Sequence, residues 1–205
     1  EVNYHQTGES KKTNSFGMRD MQEKAFNARN EKYLLLKAPP ASGKSRALMF
    51  IALDKLYNQG IKKVIVAVPE RSIGGSFGLT DLKKDGFFTS WEPNPIYNLC
   101  MSGGEKSKVD AFKRFIQSDE KILICTHATL RFAFKELDES NFDNCLLAID
   151  EFHHVSADGD NQLGELIRSI IQNSTAHIVA MTGSYFRGDS VPVLLPEDEA
   201  KFSKV

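Results

Sequence analysis

Nowhere does this chain hold the roughly 18 consecutive apolar residues that a bilayer-crossing helix needs, so no transmembrane helix is expected. The opening stretch, Glu1 to Ser15, is polar and lacks the apolar core of a secretory signal. Cysteine is scarce. Its three copies, Cys100, Cys125 and Cys145, lie far apart and form no C-x-x-C pair. Cys125 and Cys145 sit inside apolar runs, which reads as buried, reduced thiols in a cytoplasmic protein. An excess of charge is missing too: the net charge is −1. A nucleic-acid partner would therefore be held by a local patch or by backbone donors, not by a generally basic body. Repeats and low-complexity tracts are absent. The first residue is Glu1 and not Met, which points to a piece of a longer protein.

What is present is enough for a core. The 205 residues are 41% hydrophobic and 26% charged, ordinary for a soluble globular protein of one large domain, with a second small one not excluded. Short apolar runs alternate with amphipathic ones. Strands are expected at Tyr33–Leu36, Lys63–Val68, Ile122–Cys125, Cys145–Ile149 and Ile178–Met181, and Ile96–Cys100 is a further candidate. Helices are expected at Arg19–Asn30, Lys44–Tyr57, Lys106–Gln117 and Thr126–Glu136. A further helical stripe runs through Leu163, Leu166, Ile167, Ile170 and Ile171. Residues 1–15 read as a loose leader. This alternation predicts an α/β fold, a mostly parallel sheet with helices on both faces, whose ligands gather at the carboxyl ends of the strands.

After the first strand comes Lys37-Ala-Pro-Pro-Ala-Ser-Gly-Lys-Ser45, leading into a helix. That is the context of a phosphate-binding loop. Backbone N–H groups there form an anion-sized nest at a helix N-terminus. Pro40, Ala41, Ser42 and Gly43 would line it. Gly43 lets the backbone approach a phosphate, Lys44 can reach the β- and γ-phosphates of ATP, and Ser45 can ligate Mg²⁺. The usual first glycine of G-x-x-x-x-G-K-[ST] is replaced by Ala38. After the strand ending at Ile149 come Asp150 and Glu151. Asp150 is the candidate second Mg²⁺ ligand and Glu151 the candidate general base toward water. His153 and His154 have no third partner at a metal-ligand spacing, which argues against a metal site there. Three other strands end in hydroxyl or basic groups: Pro69-Glu70-Arg71-Ser72, Thr126-His127-Ala128-Thr129, and Thr182-Gly183-Ser184. Each singly reads as a helix cap.

Together these motifs resemble the first motor domain of the superfamily-two helicases and translocases, a RecA-like P-loop NTPase fold of the DEAD/DEAH-box (DExH) class. The resemblance covers about residues 16–188. Ala38–Ser45 is similar to motif I, Val68–Arg71 to motif Ia, Asp150–His153 to the DExH box, and Thr182–Ser184 to motif III. Thr126–Leu130 resembles the T-x-x-T-L motif, and Met18–Gln22 the Arg-x-x-Gln motif whose Arg19 and Gln22 would recognise adenine. Thr182–Asp189 is similar to the end of motif III in restriction-enzyme-type members, with Ser184 for Thr and Tyr185 for Pro. The resemblance implies ATP and Mg²⁺ as cofactors and coupling of hydrolysis to movement through His153, Thr182 and Ser184. It implies nucleic acid, DNA favoured over RNA, along Pro69, Arg71, Ser72, Thr126 and Thr129. It also implies a second RecA-like domain with an arginine finger, beyond a tail at residues 189–205. Two other classes stay open: a P-loop NTPase not acting on nucleic acid, and a non-hydrolysing interaction module, against which intact Lys44, Asp150 and Glu151 argue.

Overall fold

The computed structural model describes residues 13–39, 42–101, 103–152, 162–183 and 194–205, the Ser72 side chain excepted. Six strands form one sheet in the order β3-β2-β4-β5-β1-β6. They are β1 (Tyr33–Lys37), β2 (Lys63–Val68), β3 (Ile122–Thr126), β4 (Cys145–Ile149), β5 (His177–Thr182) and β6 (Ser203–Lys204). Every pairing is parallel. The helices are α1 (Asp20–Asn27), α2 (Lys44–Asn58), α3 (Glu105–Gln117), α4 (His127–Glu136), α5 (Gln162–Asn173) and α6 (Pro196–Glu199).

Because side chains alternate along a strand, each central strand feeds two cores. Leu35, Ile65, Leu123, Leu147 and Ile178 point to the face covered by α3, α4 and α5. Leu34, Val64, Ile124, Leu146 and Val179 point to the face covered by α1 and α2. The second core is rich in rings. Phe50 of α2 meets Phe87 edge-on at 4.8 Å and Phe26 at 6.4 Å. Trp91 is fully buried there and donates from its indole nitrogen to the Phe77 carbonyl at 2.8 Å.

Two segments differ from expectation. Ile96–Cys100 is not a strand: Pro95–Tyr97 is a 3₁₀ turn, and only Asn98 bridges to Ile124. The Asn94 side chain accepts from Ile96 N and Pro95 opens the turn, so the local turn chemistry overrides the apolar run. Within the segment expected as a tail, α6 and β6 continue the fold, and β6 extends the sheet beside β1. The expected leader ends in a turn, in which Asn14 Oδ1 accepts from Phe16 N and Met18 N.

At the end of the sheet away from the phosphate-loop segment, buried Lys55 donates to the Glu31 carbonyl, to Gln59 and to His177 Nδ1, the last at 2.8 Å. Burial and then the Lys55 charge push the His177 pKa from 6.5 to about 4. The unfolded chain binds that proton near pH ~6.5, so stability should fall as pH drops from about 6.5 toward 4. Fully buried, the shift would be worth ~3 kcal/mol; for a half-exposed ring we expect ~1–2 kcal/mol. Denaturant unfolding at pH 7 and pH 4.5 measures it. His177→Gln should shrink the difference between the two by about that amount, and an unchanged difference would clear His177 of the role.

Candidate active site

Three adjacent strands deliver the candidate chemistry. β4, β5 and β1 are neighbours, and their carboxyl ends lead to Asp150–Glu151, Gly183 and the phosphate-loop segment respectively. Gly43 is the N-cap of α2, with φ 86. A Cβ there would lie 2.5 Å from Gln22 Nε2, so both the left-handed backbone and the close approach call for glycine. Gln22 is itself buried. Its amide donates to the Gly43 carbonyl at 3.2 Å and its Oε1 accepts from Arg19 N at 2.8 Å. The Arg-x-x-Gln segment is thus fastened to the loop that precedes Lys44.

Lys44 Nζ lies 2.7 Å from Glu151 Oε1, with both side chains largely screened from water. Gly183 closes over this pair: a Cβ on it would lie 2.9 Å from Lys44 Nζ and 3.5 Å from Glu151 Oε1. Glu151 has φ 48, a left-handed conformation uncommon for a residue with a side chain. Asp150, 6% exposed, is fixed by its neighbours. Its N–H donates to the Ala67 carbonyl at 2.8 Å, and its Oδ1 accepts from Glu151 N at 2.9 Å. Burial pushes the Asp150 carboxyl up, while the Lys44 charge pulls it back down. A divalent cation beside it would favour the ionised form further.

The residues suit a phosphate and a magnesium ion. Ser42 Oγ is buried and has no hydrogen-bond partner among the described residues, a donor left over in the loop. Ser45 and Asp150 offer hard oxygen donors, and Mg²⁺ typically takes one or two carboxylates together with phosphate and water. Beside them a cavity of about 430 Å³ is lined by Arg19, Gly43, Lys44, Ser45, Arg46 and Met49 of this region, and by Ser76 and Thr80. That volume is in the range of small-ligand sites, ~300–1,000 Å³.

The sequence pattern of the DEAD/DEAH box helicases matches residues 19–188. The chain belongs to that family. It is 71% identical over 205 residues to the "Putative ATP-dependent helicase YeeB" of Bacillus subtilis (strain 168), the match covering 100% of this chain and 34% of YeeB. This chain thus spans about a third of that relative's length. Among solved structures, the Pyrococcus furiosus Hef helicase domain superposes with a TM-score of 0.60 at 16% identity, over 91% of this chain and 38% of that one. The Sulfolobus solfataricus SWI2/SNF2 ATPase core in complex with dsDNA gives 0.54 at 15% identity, over 83% and 33%. Both likenesses establish the RecA-like helicase fold.

Not every expected site residue of this helicase domain is available at the surface. Pro40, Ala41, His153 and Ser184 lie outside the described residues, as does the Ser72 side chain. Thr182 is buried at the end of β5, paired with Lys37. Arg71 is exposed and Pro69 half-buried after β2. Thr126 and Thr129, expected on nucleic acid, are buried and used internally. Thr126 caps α4, accepting from Thr129 N at 3.2 Å, and the Thr129 hydroxyl donates to Glu105 Oε2 at 3.1 Å. A hydroxyl after a strand serves as a helix cap as readily as a phosphate ligand, and the Thr126 hydroxyl is engaged as the cap of α4. Sequence reasoning assigned no role to Ser76, Thr80, Arg46 or Gly183. Ser76 and Thr80 carry no pattern signal; Arg46 simply follows Ser45, and Gly183 lies inside a motif already singled out.

Proposed function

We propose that this chain is the ATP-binding first motor domain of a nucleic-acid-dependent ATPase, a helicase or translocase coupling ATP hydrolysis to movement on DNA or RNA. The observation that carries the reading is the Lys44–Glu151 contact at 2.7 Å beneath Gly183. It joins the phosphate-binding cation, the candidate base and the candidate coupling motif in one cluster. Arg19 and Gln22 face the adenine, while loop amides, Ser42 and Lys44 take the phosphates. Ser45 and Asp150 would hold Mg²⁺, which would neutralise phosphate charge there. A γ-phosphate competes with Glu151 for Lys44, and Glu151, released from its ion pair, accepts a proton from water. Thr182, His153 and Ser184 pass the nucleotide state onward. The ATP-binding domain takes in residues 16–188 together with α6 and β6, and a second RecA-like domain in a longer parent supplies the arginine finger. A cytoplasmic setting accords with Cys125 and Cys145, which are buried free thiols. DNA is favoured over RNA because the Sulfolobus relative in fold is a complex with dsDNA.

One observation favours a second reading, a P-loop NTPase that does not act on nucleic acid: the Thr126 and Thr129 hydroxyls are internal. Stimulation of the full-length ATPase by polynucleotide separates the two. The nucleotide site is tested by Lys44→Ala. Losing a charge-assisted contact worth ~1.5–3 kcal/mol should weaken Mg·ADP binding by ~10–150-fold. Calorimetric titration reads this, and equal affinities for the two forms would sink the phosphate-loop assignment.

A further inference from the structure

His127 is the first residue of α4, directly after its cap Thr126. An exposed position would be ordinary there, yet the ring is 5% exposed. Its Nε2 lies 2.8 Å from the Asp150 carbonyl oxygen, so the ring donates and the carbonyl accepts. That carbonyl belongs to the peptide joining Asp150 to Glu151. The same peptide's N–H, from Glu151, is held by Asp150 Oδ1 at 2.9 Å. The two bonds fix the plane of the peptide, and that plane sets the left-handed φ of 48 at Glu151. Release of the carbonyl would let the peptide rotate and Glu151 relax toward a commoner backbone region.

The residues flanking His127 in the first turn of α4 are fastened to α3. Thr126 Oγ1 donates to Thr129 Oγ1 at 3.2 Å, and Thr129 Oγ1 donates to Glu105, the first residue of α3. The first turns of α3 and α4 are therefore joined, and His127 is the next residue along from that joint.

We propose that His127 is a positioning residue: it links the joined first turns of α3 and α4 to the Asp150–Glu151 peptide, and through that link polynucleotide stimulates hydrolysis. The Thr126 and Thr129 hydroxyls form the internal joint of this link. The inference rests on the proposed nucleic-acid-dependent ATPase, which it deepens by naming the route of coupling. Such a route needs a demonstrated effect on coupling and not spatial adjacency alone.

The test uses the full-length parent protein, with single-stranded oligo(dT) and a mixed-sequence DNA duplex as probes. Turnover is measured with and without each probe for the parent, His127→Ala, His127→Leu and His127→Gln. Leucine keeps volume and loses the donor; the glutamine amide can still donate to a carbonyl. In the Ala and Leu variants the ratio of stimulated to basal turnover should fall about tenfold, the low end of what residues orienting a metal ligand cost. KM for ATP should hold steady, and His127→Gln should recover most of the ratio. Two results would overturn the inference alone: full stimulation in the Ala or Leu variant, or basal and stimulated turnover falling in proportion with no recovery in Gln. A parent protein that neither probe stimulates would overturn the proposed function, and this inference with it.

Discussion

Glu151→Gln is expected to cut ATP turnover in the full-length protein by ~10²–10⁴-fold while nucleotide binding persists. The amide has the shape of the carboxylate and fits the same left-handed backbone, but it cannot accept a proton from the attacking water. It also ends the ion pair with Lys44, which sits 2.7 Å away. Lys44 is then freer to meet a phosphate, so affinity for Mg·ATP should be unchanged or tighter. Single-turnover hydrolysis and a binding titration on both forms separate the two effects. A variant turning over at the parent rate would remove Glu151 from the base role. Loss of binding together with turnover would instead mean that the carboxylate is needed to shape the phosphate loop.

The largest effect on stability is expected from Phe50→Ala. The ring is fully buried and in edge contact with Phe87 and Phe26, between α2 and the elements packed on it. Removing such a ring costs ~3–5 kcal/mol through lost transfer energy and the cavity left behind. In a chain of this size that lowers Tm by ~6–20 °C. The consequence reaches the site, because α2 begins with Lys44 and Ser45. Denaturant unfolding of the chain measures the loss. A cost below ~1 kcal/mol would mean that the aromatic cluster does not anchor α2.

The central strands were legible because a parallel sheet buries both faces of each strand. Val64–Val68, Ile122–Cys125 and Cys145–Ile149 are consequently apolar almost without break. Asp150 and Glu151 stood out because they directly follow the apolar strand β4, and Lys44 because it opens the helix after a Gly/Pro loop that follows β1. The pairing of Lys44 with Glu151, and of Gly183 with both, follows from β4, β5 and β1 being neighbours, and no local pattern expresses that. β6 escaped notice for a different reason. Ser203 and Lys204 are polar, and they join the sheet through backbone pairing to Leu34 and Leu35 of β1. Thr126 and Thr129 show the limit of reading residue type, since a hydroxyl after a strand suits a cap or a phosphate, and the bond from Thr129 to Glu105 comes only from the packing of α4 on α3.

β6 also has a mechanical meaning. Val205 N donates to the Leu35 carbonyl and Lys37 N donates to the Val205 carbonyl, at 3.0 and 2.7 Å. Lys37 ends the strand that feeds the phosphate loop. A pull along the strand direction at Val205 would load these hydrogen bonds to β1 in parallel. The strand that leads into the phosphate-loop segment is thus the one tied to the last described residue of this chain.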